Sequence, residues 1–362
     1  MPAPQLSDSN APRRANVVGV GLIGGSIGLA LRRAGWHVSG VDDDSARTDR
    51  ARQLEVIDAV GLHPDAEITF IATPVGAVAE AARKALAETV GLVTDVGSVK
   101  APIVDAVDDR RFVGGHPMAG SEQEGVDGAS ADLFAGAVWV LTPTPNTDDS
   151  TYAQVRSIVS VMGAEIIALE PARHDEFVAV VSHVPHLTAA SLMRIADDRA
   201  DEHVALLRLA AGGFRDMTRI ASGHPGIWPD ICAENRSAIV AGLDRLITAL
   251  GDAREQVAGQ DRDGLLRDLT RARAARVNLP SRYTRPSELT EVRVPVPDRP
   301  GVLADVTTLA TELDVNIVDL EIAHSSEGVQ GVLILLIESA ASDVFRGGLI
   351  ARGYRPSVHP LA

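Results

Sequence analysis

The chain is nearly devoid of cysteine and lysine. Its one cysteine, Cys232, excludes an internal disulfide and any cysteine-built metal centre, and it suits a reducing, cytoplasmic compartment. Only Lys84 and Lys100 among the 34 basic residues are lysines, so arginine carries nearly all positive charge and lysine-dependent mechanisms have few candidates. Excess positive charge is missing as well. At a net charge of -15 the chain lacks the clustered attraction that nucleic acid or an anionic membrane requires, and neither is expected as a partner. An anionic substrate would therefore need a local basic pocket. Long hydrophobic runs are also lacking: the longest apolar tract, VVGVGLIGGSIGLAL at 17–31, falls short of the roughly 18 to 20 residues of a membrane helix. The opening MPAPQLSDSNAPRR has no apolar segment of the kind a secretory signal carries, and residues 1–14 read as a flexible tail.

What is present is apolar material for proper cores. Hydrophobic residues make up 45% of 362, enough for two or three domains. NVVGVGLIGG, SIGLALRRAG and HVSGVDDD read as strand, glycine turn and helix, and second strand, which is a βαβ unit. The alternation continues through ITFIATPV, VAEAARKALAE, LVTDVGSV and VWVLTP. It predicts an α/β fold over 15–169 with a Rossmann-type, mostly parallel doubly wound sheet. From Glu170 the strand signal stops, and apolar residues three and four apart, as in Ile239, Leu243, Leu246, Ile247 and Leu250, predict an all-α second domain over 170–276. NLPSRYTRPSE marks a linker at 277–288. The order βαββαβ over 289–362 is the ferredoxin-like α+β arrangement.

Gly19, Gly21 and Gly24 form GxGxxG after a strand and at the start of a helix. These glycines allow a tight turn, backbone approach to a pyrophosphate and close packing of helix on strand, with Leu22 and Ile23 opening the helix between them. Asp42, at the end of the second strand, can accept from both ribose hydroxyls and would repel a 2'-phosphate, which favours NAD over NADP; Arg47 is the residue that could soften that charge. Thr73 and Pro74 in ATPV, and Ser98 in DVGSVK, end strands whose tips face the ligand crevice, although such residues also serve as caps or turns.

RFVGGHPMAGSEQEG shows neither helical nor strand periodicity, so His116 looks like a reagent on a loop at a strand end. A neutral imidazole there can accept a proton from a hydroxyl, as hydride removal from a hydroxyl-bearing carbon requires. In SHVPHL, His183 and His186 share a helix face if Pro185 lies in the first turn. No carboxylate or cysteine completes a metal set with them, so no metal is expected, and they read either as a polar substrate wall or as core histidines. GGFRDMTRIASGHPGIW supplies Arg215, Arg219 and Trp228, with Arg219 either an anion clamp or part of a solvated face paired to Asp216.

Taken in order, GVGLIGGS, DVGSVK, GGHPMAGSE, SHVPH, FRDMTRIA and IWPDICAEN resemble the prephenate and arogenate dehydrogenases of tyrosine biosynthesis, over 15 to about 276. VPDRPGVLADVTTLATELDVNI resembles an ACT domain. The first resemblance implies an NAD-dependent oxidative decarboxylation. His116 would then polarise the ring hydroxyl with Ser98 as its hydrogen-bond partner, and Glu122 would sit in a gating network. His186 would line the substrate pocket, Arg219 would grip a carboxylate and Trp228 would pack nearby. The family implies a homodimer through the helical domain. The ACT resemblance implies an amino-acid effector such as L-tyrosine near Asp298, Gly301 and Leu303, with Asn316 and Ile317 on the next strand.

Three other readings stay open from sequence. Arogenate in place of prephenate is one. A β-hydroxyacid dehydrogenase is another, disfavoured because that family uses a lysine after its nucleotide domain and none follows Lys100 here. An NAD-binding sensor without catalysis would need neither His116 nor Arg219.

Overall fold

The computed structural model describes residues 12–120, 123, 125–200, 209–278, 289–297, 299–324 and 330–360. Most of the expected tail and linker, together with Glu122 and Asp298, lies outside the described residues. The chain forms two compact units, 1–247 and 248–362, and each is described by itself.

The first unit is organised by an eight-stranded sheet of order β3-β2-β1-β4-β5-β6-β7-β8. Its strands are β1 (Arg14–Val18), β2 (His37–Val41), β3 (Ala59–Val60), β4 (Ile68–Ile71), β5 (Leu92–Asp95), β6 (Phe112–Pro117), β7 (Val138–Thr142) and β8 (Glu165–Ala168). All neighbours run parallel except β6 and β7, so the α/β reading holds with one reversed strand. ITFI is buried at all four positions because helices cover both faces; a two-sided strand reads as a continuous apolar run. β1 starts at Arg14, inside the expected tail.

FVGGHP, read as a strand end with His116 on a loop, is a full strand that contains His116. It is β6, buried at every position, and it lacks alternation because both its faces are covered. A Cβ on Gly114 would meet Thr142 Oγ1 at 2.4 Å, and one on Gly115 would meet the Asp95 carbonyl oxygen at 2.7 Å. These glycines let neighbouring strands and side chains close on β6.

Four helices cover the nucleotide half at its strand junctions: α1 (Leu22–Arg33), α2 (Ser45–Gln53), α3 (Val78–Glu88) and α4 (Ala101–Ala106). α5 (Asp149–Ser160) follows β7. Beyond β8 the chain is helical: α6 (Pro171–Val178), a π-turn at Ala179–His183, α7 (Val184–Ala200), and helices at Gly212–Thr218, Trp228–Glu234 and Arg236–Ala258. Glu170 starts α6 by accepting from Ala172 N and Arg173 N, and Pro171 occupies the position where a missing N–H costs least. Ile231, on the short helix after Trp228, packs with Val78, Val99 and Ile103, which seats the helical segment over the ends of β4 and β5.

The second unit holds a helix at Arg262–Val277 and a four-stranded antiparallel sheet of order β10-β11-β9-β12. Its strands are β9 (Leu289–Pro297), β10 (Ile317–His324), β11 (Gln330–Glu338) and β12 (Ser357–Pro360). With helices at Val302–Glu312 and Ser342–Ala351 the order is βαββαβ, the ferredoxin-like arrangement expected. Val292, Val294, Leu335, Ile337, Phe345 and Leu349 form its core. Asn316 immediately precedes β10 instead of lying on it, and is exposed.

Candidate active site

The glycine turn behaves as its spacing requires. Gly19 has φ +89°, a left-handed conformation that suits glycine, and a Cβ there would meet the Ala72 carbonyl oxygen at 2.5 Å. At Gly24 the obstacle is the Gly19 carbonyl oxygen, 1.9 Å from the position of a Cβ, so only glycine lets α1 pack this close. Gly21 differs: nothing lies within 4 Å of its Cβ position. It caps α1 without a side-chain hydrogen bond and no acidic residue follows in the first turn, which leaves N–H donors and open space for an anion. Asp42 closes the turn from β2. Its Oδ2 accepts from Val20 N at 2.9 Å, while Oδ1 accepts from Asp44 N at 3.1 Å and from Arg47 Nη1 at 2.9 Å.

A cleft of about 1670 Å³ opens in front of this turn. Its nucleotide side carries Gly19, Gly21, Leu22, Ile23, Asp42, Thr73 and Pro74; its helical side carries His186, Arg219 and Trp228. Thr73 Oγ1 is buried without a hydrogen-bond partner, a donor and acceptor left for something bound. The turn, the open Gly21 position and this hydroxyl together fit a dinucleotide. Across the cleft the His186 ring stacks on Trp228 at 3.6 Å between centroids. Burial pulls the His186 imidazole below its usual range. Arg219, exposed on the short helical turn Arg219–Ser222, reaches the cleft; Arg215 instead bonds to the Ala210 carbonyl oxygen.

His116 and Ser98 are not among the residues lining that cleft. The His116 ring is 9% exposed, and its Nδ1 lies 2.9 Å from Nε2 of His174, whose Nδ1 lies 2.8 Å from Asp175 Oδ1. The expected hydrogen bond from Ser98 is not made; His174 occupies that role. Lys100, fully buried, pairs with Asp95 and donates to the Gly115 carbonyl oxygen at 2.8 Å, which holds β6 against β5. Asp175 accepts from the first N–H groups of α4, Lys100 N at 2.7 Å and Ala101 N at 2.8 Å. Burial first, then His174, Lys100 and His183, push the His116 imidazole well below its ordinary range, so it is neutral at physiological pH.

His183, 1% exposed, connects this cluster to the cleft wall. Asn235 Nδ2 lies 3.2 Å from its Nδ1, and its ring meets Trp228 edge-on at 6.1 Å. Burial lowers its pKa to about 4. The sequence reading missed His174, Asp175 and Asn235. A signal for two of them was present: Pro171, His174, Asp175 and Val178 recur at i, i+3, i+4 and i+7, which puts the histidine and the aspartate on the inward face of α6. In the second unit Gly301 adopts φ +90° before the helix Val302–Glu312, and Leu303 is 41% exposed. Ile317 packs against that unit's core, so it does not face an open site.

Comparison with known proteins agrees with this geometry. Residues 27–168 match the prephenate dehydrogenase nucleotide-binding domain, and residues 170–271 the prephenate dehydrogenase dimerization domain. A prephenate dehydrogenase of Bacillus subtilis is 34% identical over 89% of this chain and 91% of its own. The cyclohexadienyl dehydrogenase of Zymomonas mobilis is 32% identical over 73% of this chain and 94% of its own. Among solved structures, prephenate dehydrogenase from Aquifex aeolicus in complex with hydroxyphenyl propionate and NAD+ superposes with a TM-score of 0.69 at 30% identity, covering 74% of this chain and 99% of that one.

Proposed function

The chain belongs to the prephenate dehydrogenase family of NAD-dependent oxidoreductases, and from that premise we propose how its own residues carry out oxidative decarboxylation of prephenate to 4-hydroxyphenylpyruvate. The carrying observation is the single cleft that joins the glycine turn and Asp42 to His186, Trp228 and Arg219.

NAD, when bound, supplies the hydride acceptor. The N–H groups at the start of α1 would hold its pyrophosphate, Asp42 its ribose hydroxyls and Thr73 its nicotinamide end. The neutral imidazole of His116 accepts the proton of the ring hydroxyl as hydride leaves the same carbon. Arg219 grips a carboxylate of the substrate, and His186 and Trp228 form a flat wall beside it. The ring carboxylate departs as carbon dioxide and the ring becomes aromatic, which supplies the driving force, so the enzyme's share is orientation and charge placement.

Arogenate is the second substrate reading, favoured by the likeness to Synechocystis arogenate dehydrogenase, 31% identical with a TM-score of 0.63 over 73% of this chain and 98% of that one. The match to a dimerization domain, together with exposed Val240 and Ile247 on one helix, supports a homodimer. The ferredoxin-like unit, with its left-handed Gly301 turn, supports an ACT-type effector site for L-tyrosine. A spectrophotometric NADH assay with prephenate and with arogenate, each repeated with tyrosine, tests the substrate and effector statements. No NADH from either compound would reject the reading.

A further inference from the structure

We infer that His174, anchored by Asp175, is a positioning residue that sets the tautomer of His116, with the proton on Nδ1 and the lone pair on Nε2; this deepens the reading of His116 given above. Donor and acceptor chemistry fixes each step. The two backbone N–H groups at the start of α4 can only donate, so Asp175 presents both oxygens as acceptors, Oδ1 to Lys100 N and Oδ2 to Ala101 N. Oδ1 also faces His174 Nδ1 at 2.8 Å, and that nitrogen must therefore carry the hydrogen. In a neutral ring Nε2 of His174 is then an acceptor. The atom facing it at 2.9 Å is His116 Nδ1, which must donate.

The result is a His116 ring whose Nε2 bears a lone pair. With Nδ1 engaged by His174, Nε2 is the acceptor this ring would offer a hydroxyl. The reverse tautomer would set two lone pairs against each other at 2.9 Å. A doubly protonated His174 would place a charge on a fully buried ring. The charged and titratable groups around the pair are Lys100 with its partner Asp95, Asp175 and His183. The neighbouring His183 is set in the opposite sense. Asn235 Nδ2 donates to the Asp175 carbonyl oxygen at 2.9 Å, which fixes the amide orientation and makes His183 Nδ1 the acceptor. Its hydrogen is left on Nε2, an atom buried without a partner. One imidazole of the cluster is thus built to accept and the other to donate.

The test combines ring nitrogen spectroscopy with kinetics. In the full-length protein carrying ¹⁵N-histidine, the signals of His116 are identified by their loss in His116→Asn and should show a hydrogen on Nδ1 and none on Nε2. His174→Leu removes the acceptor; kcat should fall roughly 10- to 100-fold, KM should stay within about twofold, and the His116 ring should show a mixture of tautomers. His174→Gln, whose amide oxygen can accept from His116 Nδ1, should recover part of kcat and the wild-type ring spectrum. A wild-type His116 with hydrogen on Nε2, or a His174→Leu enzyme with unchanged kcat and spectrum, overturns the inference. Should His174→Leu fail to fold, the wild-type spectrum and the Gln variant decide. The spectrum reads the tautomer even if neither prephenate nor arogenate is turned over, so loss of the functional reading is distinguishable from loss of this one.

Discussion

The buried cluster around the sheet and the open lip of the helical segment are built to opposite tolerances. On the packed side, Gly19, Gly24, Gly114 and Gly115 each have an atom within 3 Å of where a Cβ would stand, and Lys100 and, from α6, His174 are fully buried. On the helical side, nothing lies within 4 Å of Gly212 or Gly213, and Arg219 and Ile227 are exposed. His116 belongs to the first environment and Arg219 to the second. On the function proposed above, chemistry falls to the packed part of the molecule and capture to the open part.

Acid should break the packed side first. His183 has a folded pKa of about 4 against an ordinary imidazole value of about 6.5, so the unfolded chain binds the proton more readily. The stabilisation is complete above about pH 6.5 and is lost as pH falls toward 4, by roughly 3 kcal/mol, and His116 adds in the same direction. Urea unfolding across this range measures it, and a flat profile would contradict two buried neutral rings. The same lowering of His116 should keep turnover going below the pH at which an ordinary histidine protonates.

Removing the reagent comes next. His116→Asn should cut turnover by about 100-fold or more while NAD still binds, the scale for losing an acid–base group; equal turnover would end its assigned role. A methyl group on the packed side should follow: Gly115→Ala is expected to cost about 1 to 3 kcal/mol in denaturant unfolding, because the Asp95 backbone cannot withdraw easily. On the open side, Arg219→Ala should raise KM about tenfold with a smaller change in kcat, the loss of one charge-assisted contact in a solvent-reached position; an unaltered KM would remove it from the site. The smallest effect is expected for Gly212→Ala, within about 0.5 kcal/mol, since its surroundings are empty. Similar costs at Gly115 and Gly212 would erase the contrast.

This contrast also decides what could be read in advance. The glycine fingerprint was legible because Gly19 and Gly24 answer short-range steric demands that sequence spacing encodes, while Gly21 leaves open space at the start of α1. The alternation of β1 to β5 with helices was legible for a similar reason, since strands covered on both faces read as apolar runs. FVGGHP was read as a strand end but His116 as a reagent on a loop, because the burial of β6 depends on Asp95, Thr142 and Trp139, residues distant in sequence that fill the space a side chain on Gly114 or Gly115 would need. The partner of His116 was likewise assigned to Ser98, when the ring across from it comes from α6, 58 positions further along. Adjacent histidine and aspartate in RHDEF look like part of a charged, solvated face until the inward period of the helix is counted. The pocket-lining roles of His186, Trp228 and Arg219 came from family resemblance more than from their chemistry, because short turns near prolines carry no periodicity.

Asp175 is rooted in α6, yet its carboxylate clasps the first turn of α4 and, through His174, steadies the imidazole on β6. The nucleotide half and the helical half are thus riveted together at the imidazole to which the proposed reaction assigns the proton.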